Sequence, residues 1–187
     1  MASRLQQLGE IEEALWAELE ACVEPRPPGD PPHEWRVAVL ATVDDGHPDA
    51  RNIVLREVEA NERRLVFYTD ARSPKVRQIE AAPHGTLILW SATLAWQLRM
   101  QVRLAVQTSG LAVSSRWARL QTTAGAADYL AARAPGSPLD APLADLGTRS
   151  HFAMITALVE TIDWLELNAQ GHRRALFGAG GPRWQQP

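Results

Sequence analysis

Three β-type runs, joined by connections too short for a crossover, constrain this chain more than any other feature. Residues 35–43, opening at Trp35, are rich in Val and Leu; residues 49–58 return; residues 63–69 end at Tyr68-Thr69. Between them lie Asp44-Asp45-Gly46-His47-Pro48 and Glu59-Ala60-Asn61-Glu62, which is turn chemistry. Parallel neighbours would need a long return, so an antiparallel meander is expected. Ser73-Pro74 then supplies an N-cap serine and a first-turn proline for a helix running to about Ala82 and stopping before Pro83. Further strands are expected at 86–90 and 96–108, with a closing pair at 151–167 and 172–177 joined by Asn168-Ala169-Gln170-Gly171. Residues 114–133 are helical in character, with Gly125 as a break, and the prolines and glycines of 134–148 imply a loop.

Ahead of this β region, Leu5, Leu8, Ile11, Leu15 and Leu19 recur at three- and four-residue steps between glutamates, the pattern of an amphipathic helix laid on a barrel. Pro25, Pro27, Pro28, Pro31 and Pro32 follow, a density that excludes helix and central strand and implies an extended linker. The expectation is one domain over 1–187: a helix in 1–23, a proline-rich linker in 24–34, and a barrel with helices in 35–187. The fold class is mainly β with peripheral helices, a small antiparallel barrel.

Several functions are disfavoured. A net charge of −3 implies no general attraction to nucleic acid. Cys22 is the single cysteine, so neither an intrachain disulfide nor a thiolate metal cluster is available. His33, His47, His84, His151 and His172 lack metal-ligand spacing, so no metal is expected. The N-terminus has no apolar leader core and no run is long enough to span a bilayer; a cytoplasmic protein without membrane attachment is expected.

What remains is a set of cations at element ends. Arg51 and Arg56 are five apart and fall on opposite faces of a regular strand, so one ligand meets both only if the chain bends or a partner subunit intervenes. Lys75 stands in a helix's first turn, where a cation opposes the dipole unless an anion binds there; the plain alternative is a solvated lysine. Tyr129 and Arg133 are i,i+4 on the expected helix and Ser137 follows in a turn, a phosphate clamp or simply a capped helix end. His172 and Arg174 share a strand face, with Trp164 across the same hairpin.

Together these residues resemble the pyridoxamine 5′-phosphate oxidase family, the FMN-binding split β-barrel flavoproteins. Arg51 to Arg56 looks like that family's Arg-x-x-Leu-Leu-Lys strand, and Val66-Phe67-Tyr68-Thr69 like the strand that follows. Ser73-Pro74-Lys75 resembles its Ser-Arg-Lys helix start, and Tyr129, Arg133 and Ser137 the spacing of its substrate-phosphate clamp. Asp163-Trp164 and Gly171-His172-Arg173-Arg174 are similar to its closing hairpin. The resemblance implies that Arg51, Asn52, Val54, Leu55, Arg56, Tyr68, Thr69, Ser73, Lys75, Gln97, Trp164 and Arg174 contact FMN, with Gln101 as the alternative to Gln97. It implies that Tyr129, Arg133, Ser137 and His172 hold a small-molecule substrate, and that the protein is a homodimer with FMN at the interface. Pro74 and Gln170 stand where the family has arginines, and the Gln-Ser pair after the clamp has no counterpart in 138–150. The implied activity is oxidation of pyridoxamine or pyridoxine 5′-phosphate, hydride passing from C4′ to FMN and on to O2. The alternatives are an FMN-dependent reductase fed by NAD(P)H and a non-catalytic FMN-binding protein.

Overall fold

A computed structural model describes residues 4–139, 146–147 and 150–187. The expected meander is present: β1 (Val37–Asp44), β2 (His47–Glu59) and β3 (Arg64–Asp70) pair antiparallel in succession. Helix α1 (Leu8–Val23) precedes them and α2 (Pro74–Ala81) follows. Next come β4 (His84–Ser91), β5 (Trp96–Gln107), helix α3 (Leu111–Leu120), a 3-10 helix over Ala124–Tyr129, β6 (Phe152–Glu166), β7 (Arg173–Gly178) and β8 (Arg183–Gln185). The sheet order is β3-β2-β1-β4-β5-β6-β7-β8, and a further β3–β6 pairing closes six strands into a ring.

β6 makes that closure possible. It pairs with β5 along one edge; the other edge is divided, residues 152–158 pairing with β3 and residues 161–166 with β7. Where the two partners part, Val159 N–H donates to the Arg63 carbonyl at 2.8 Å. This is the split of a split barrel.

The heptad-like stripe of α1 explains its place. Ile11, Leu15, Trp16, Leu19 and Cys22 are buried against β2 and the Ala60–Glu62 corner, while the intervening glutamates face outward. Glu12 accepts from Arg63 at 2.7 Å, and the Arg63 guanidinium lies 5.5 Å from the Trp16 ring centre. Ahead of α1, Arg4 and Arg173 both converge on Glu166. Burial pushes the Glu166 carboxyl up, and the hydrogen bonds from Arg173 and Arg4 more than reverse that, leaving it below the ordinary range. A carboxyl lowered on folding stabilises above its unfolded value and loses that contribution as pH falls through its folded value. Thermal melts from neutral pH down through about pH 4 are therefore expected to fall less steeply for Glu166→Gln than for the parent. Parallel curves would show that the tether carries no proton linkage.

Some elements depart from the expectation. The 114–133 helix is two pieces divided at Gln121–Thr123, with Gly125 inside the second. That second piece ends at Tyr129, and Ala131 then bridges to Leu146, so Tyr129 and Arg133 do not share a helix face. The approaching Pro135 and the bridge together stop any helical turn from reaching Arg133. An eighth strand extends the hairpin, and α1 begins at Leu8, so that Leu5 of the expected stripe lies ahead of it. The expected 134–148 loop lies partly outside the described residues. Among the described residues, no helix is long and apolar enough to cross a membrane.

Candidate functional site

The cations sort into three places that follow from strand alternation and one irregularity. Arg51 sits on the ring-facing side of β2 near the rim closed by α2. It donates to the Leu40 carbonyl at 3.2 Å, to Thr42 Oγ1 at 2.5 Å and to Gln78 Oε1 at 2.9 Å, and pairs with Asp49 at 2.5 Å. Gln78 is buried and gives its amide N–H to Asp49 at 2.8 Å. Beside this network, Lys75 Nζ has Thr69 Oγ1 at 3.3 Å, and the Thr69 and Ser73 hydroxyls are 3.1 Å apart. Ser73 holds the N-cap position of α2 without capping it; its hydroxyl turns to Thr69 instead. Burial pushes the Lys75 ammonium below the usual lysine range and the neighbouring Arg51 charge adds to this, against the opposite pull of Asp70 and Asp49. Two cations held together and partly out of water make a place for an anion.

Arg56 belongs to a second place. The β2–β3 register slips between Leu55 and Glu57, so Arg56 is the extra residue of a β-bulge. It leaves the alternation and turns toward an aromatic cluster: its guanidinium lies 5.6 Å from the Tyr68 ring centre, and its Nε is buried without a hydrogen-bond partner. Phe152 packs edge-on against Tyr68 at 4.9 Å and Tyr129 at 5.3 Å, with Trp117 at 5.6 Å. Glu57 receives Tyr68 Oη and the Arg116 Nε, each at 2.7 Å, which fastens α3 over the cluster. Burial and the bond to Glu57 push the Tyr68 phenol up to about 12, and burial raises the Tyr129 phenol against the pull of the nearby Arg56. Neither phenol is arranged to give up a proton near neutrality.

The third place is the outward face of the sheet. Val37 pairs with Val54, Trp90 with Gln97, Gln97 with Leu165, and Leu165 with Arg174, so Val54, Gln97 and Arg174 lie along one row. Asn52 is exposed one row along, opposite Val39. Gln101 lies a further row on, opposite Thr86, in register with Ala41 and Ala50 and thus nearer the Arg51 end. Arg174 is held by Asp163 at 2.7 and 2.8 Å.

Other expected residues stand apart. Leu55 and Trp164 are fully buried in the core. Trp164 pairs with Ala175 rather than Arg174, and strand alternation turns it inward against Trp96 at 5.5 Å. Arg133 is exposed and donates to the Pro138 carbonyl at 2.8 Å, Ser137 is exposed, and Tyr129 is buried, so the three do not converge. The exposed His172 accepts from Asn168 N–H through Nδ1 at 3.1 Å. Asp49, Gln78, Glu57 and Arg116 were not anticipated. Asp49 had a signal, being two residues from Arg51 and so on its face; Gln78 is three from Lys75 on one helix.

Residues 14–108 match the family described as pyridoxamine 5′-phosphate oxidase, FMN-binding domain. The chain is 44% identical over 63 residues to a pyridoxine/pyridoxamine 5′-phosphate oxidase of Thermosynechococcus vestitus, covering 33% of this chain and 29% of that protein. It is 26% identical over 185 residues to the oxidase of that name from Caulobacter vibrioides, covering 91% and 81%. The match to the first of these thus spans under a third of that relative's length. In structure it is similar to a pyridoxamine 5′-phosphate oxidase-related, FMN-binding protein of Nostoc punctiforme, with TM-score 0.69 and 23% identity over 99% of this chain and 100% of that one. PhzG of Burkholderia lata, solved with tetrahydrophenazine-1-carboxylic acid, gives TM-score 0.71 and 14% identity over 100% and 95%. At these identities the two structures speak to the fold. The chemistry of the donors fits a phosphate-bearing flavin: Lys75 is desolvated beside Arg51, and two buried hydroxyls adjoin them.

Proposed function

This chain belongs to the pyridoxamine 5′-phosphate oxidase family through its FMN-binding domain, and from that membership we propose an FMN-dependent oxidoreductase whose cofactor phosphate is held by Arg51 and Lys75. The observation that carries the reading is the Lys75–Arg51 pair, two neighbouring cations at a partly buried rim with the Thr69 and Ser73 hydroxyls beside them. FMN, when bound, would supply the redox chemistry, a two-electron oxidation of a B6 phosphate at C4′ with O2 as the final acceptor. The chain's residues bind and orient. Arg51 and Lys75 hold the phosphate, and Thr69 and Ser73 donate to it. Arg56, stacked over Tyr68 at the bulge, contacts the cofactor from the aromatic-cluster side, and that cluster excludes water around it.

The working form is a homodimer. Val37, Val43, Ile88 and Trp90 are each more than a third exposed on the outward face, an apolar patch of the kind that a second subunit covers. A partner laid there would also enclose Asn52, Val54, Gln97 or Gln101, and Arg174 within the flavin site. The substrate is a small molecule; no nucleic acid or membrane enters the reading.

A second reading, an FMN-dependent reductase of another small molecule fed by NAD(P)H, is favoured by the separation of Arg133 and Ser137 from the buried Tyr129. Anaerobic flavin absorbance decides: bleaching by pyridoxamine 5′-phosphate supports the oxidase, and bleaching by NAD(P)H alone supports the reductase. No bleaching by either points to a non-catalytic flavin protein. Under the oxidase reading, Arg133 swings in to the substrate phosphate. Arg133→Ala is then expected to raise KM by about 10- to 100-fold, the size of one charge-assisted hydrogen bond, with flavin retained. An unchanged KM would remove Arg133 from the substrate site.

A further inference from the structure

The Arg51–Lys75 cluster carries its own anion. Asp49 pairs with Arg51 at 2.5 Å and accepts from the Gln78 amide at 2.8 Å, while Gln78 Oε1 accepts from Thr42 at 2.6 Å and from Arg51 at 2.9 Å. Gln78 is 2% exposed, so this is a built network rather than a surface contact. Asp49 fixes which way the amide points, and the amide fixes Arg51. The Asp49 side chain is itself 46% exposed and open to an approaching ligand.

Formal charges around the cluster can be counted. Arg51 on β2 and Lys75 on α2 are positive, and Asp49 on β2 is negative. At the end of β3, Asp70 also acts on Lys75, but its charge is balanced by Arg72, which donates to it at 2.7 and 3.1 Å. At the end of β1, Asp44 faces Arg77 of α2 at 3.3 Å. His47 is exposed and turned to the Asp45 carbonyl. One positive charge remains. A phosphate monoester dianion leaves one uncompensated negative charge there, whereas a monoanion leaves none. Close like charges are costly where water is partly excluded.

We propose that Asp49 sets the charge of this subsite, so that it takes the phosphate ester as a monoanion, or as a dianion with capture of one proton. The inference rests on the placement of the cofactor phosphate at Arg51 and Lys75. Phosphate monoesters lose their second proton near about pH 6, so affinity falls as pH rises above that value. The captured proton resides on the phosphate or on the Asp49 carboxyl, whose ordinary state is ionised: its hydrogen bond from Gln78 and the Arg51 charge hold it below the usual range.

The test titrates the apoprotein with FMN by flavin fluorescence, at about pH 6 and about pH 8, for the parent and Asp49→Asn, with riboflavin alongside. Asparagine keeps an oxygen acceptor for Gln78 and removes the charge. The parent is expected to bind FMN roughly 50-fold more weakly at the higher pH, the fall in the monoanion fraction over two pH units above a pKa of about 6, and Asp49→Asn to bind about equally at both, tighter than the parent at the higher pH by a similar factor. The same pH dependence in both proteins overturns the proposal, as does weaker binding by Asp49→Asn at both values, which would make Asp49 a scaffold for Arg51. If riboflavin binds as tightly as FMN, the phosphate placement itself fails and the proposal falls with it. A strong preference for FMN combined with parallel pH curves sinks the Asp49 inference alone.

Discussion

Lys75→Met is expected to lower FMN affinity by about 10- to 100-fold, the loss of one charge-assisted hydrogen bond to a phosphate. The same change is expected to leave the free protein as stable as before, or more so. Lys75 is pushed below the usual lysine range by burial and by Arg51, so its charge strains the unliganded fold. The sign follows from linkage. With the folded value below the ordinary 10.5, the unfolded chain binds more protons between the two, and the parent gains stability as pH rises through that window. Lys75→Met removes the gain. Flavin titration and denaturant melts at neutral and alkaline pH check both halves. A variant that melts earlier while binding FMN normally would make Lys75 a structural residue.

Trp164→Ala is expected to cost about 3–5 kcal/mol, the range for emptying a large aromatic site in a packed core. Trp164 is fully buried, with Trp96 edge-on at 5.5 Å and the Arg173 guanidinium 5.5 Å from its ring. Its indole N–H has no hydrogen-bond partner, so burial of area rather than polarity holds it there. Trp164→Phe is expected to fold with a smaller loss and to bind FMN as the parent does. Urea melts paired with flavin titration of both variants provide the measurement. Loss of flavin by Trp164→Phe at unchanged stability would place the ring against the cofactor after all.

That second case marks where the sequence stops being readable. The meander, the Ser73-Pro74 helix start and the amphipathic α1 are local patterns, written in turn residues and apolar spacing, and they appear as expected. The pairing of Leu165, rather than Trp164, with Arg174 is a matter of register, and a shift of one residue exchanges core for surface. The Arg51/Arg56 conflict is visible in the sequence as a problem of faces, but the bulge between Leu55 and Glu57 that turns Arg56 to the aromatic cluster, away from Arg51, depends on β3 lying alongside. Alanines favour a helix that would carry Tyr129 and Arg133 on one face; the bridge from Ala131 to Leu146, beyond a proline-rich stretch, decides otherwise. The Asp49–Gln78 contact joins two elements whose relative placement no local pattern encodes.

The divided edge of β6 has a bearing on how the chain reaches its native state. Thr69 must wait for Ala153, and Gln97, already paired with Trp90 on β4, for Leu165, so β3 and β5 each present one bare edge until β6 has been made. Closure through such distant partners is slow compared with local hairpins, because the intervening loop entropy is lost before the contacts form. The growing chain is therefore most exposed to edge-to-edge association just before β6 emerges, and a lesion in that strand would be felt as poor yield of folded protein before it was felt as weak binding.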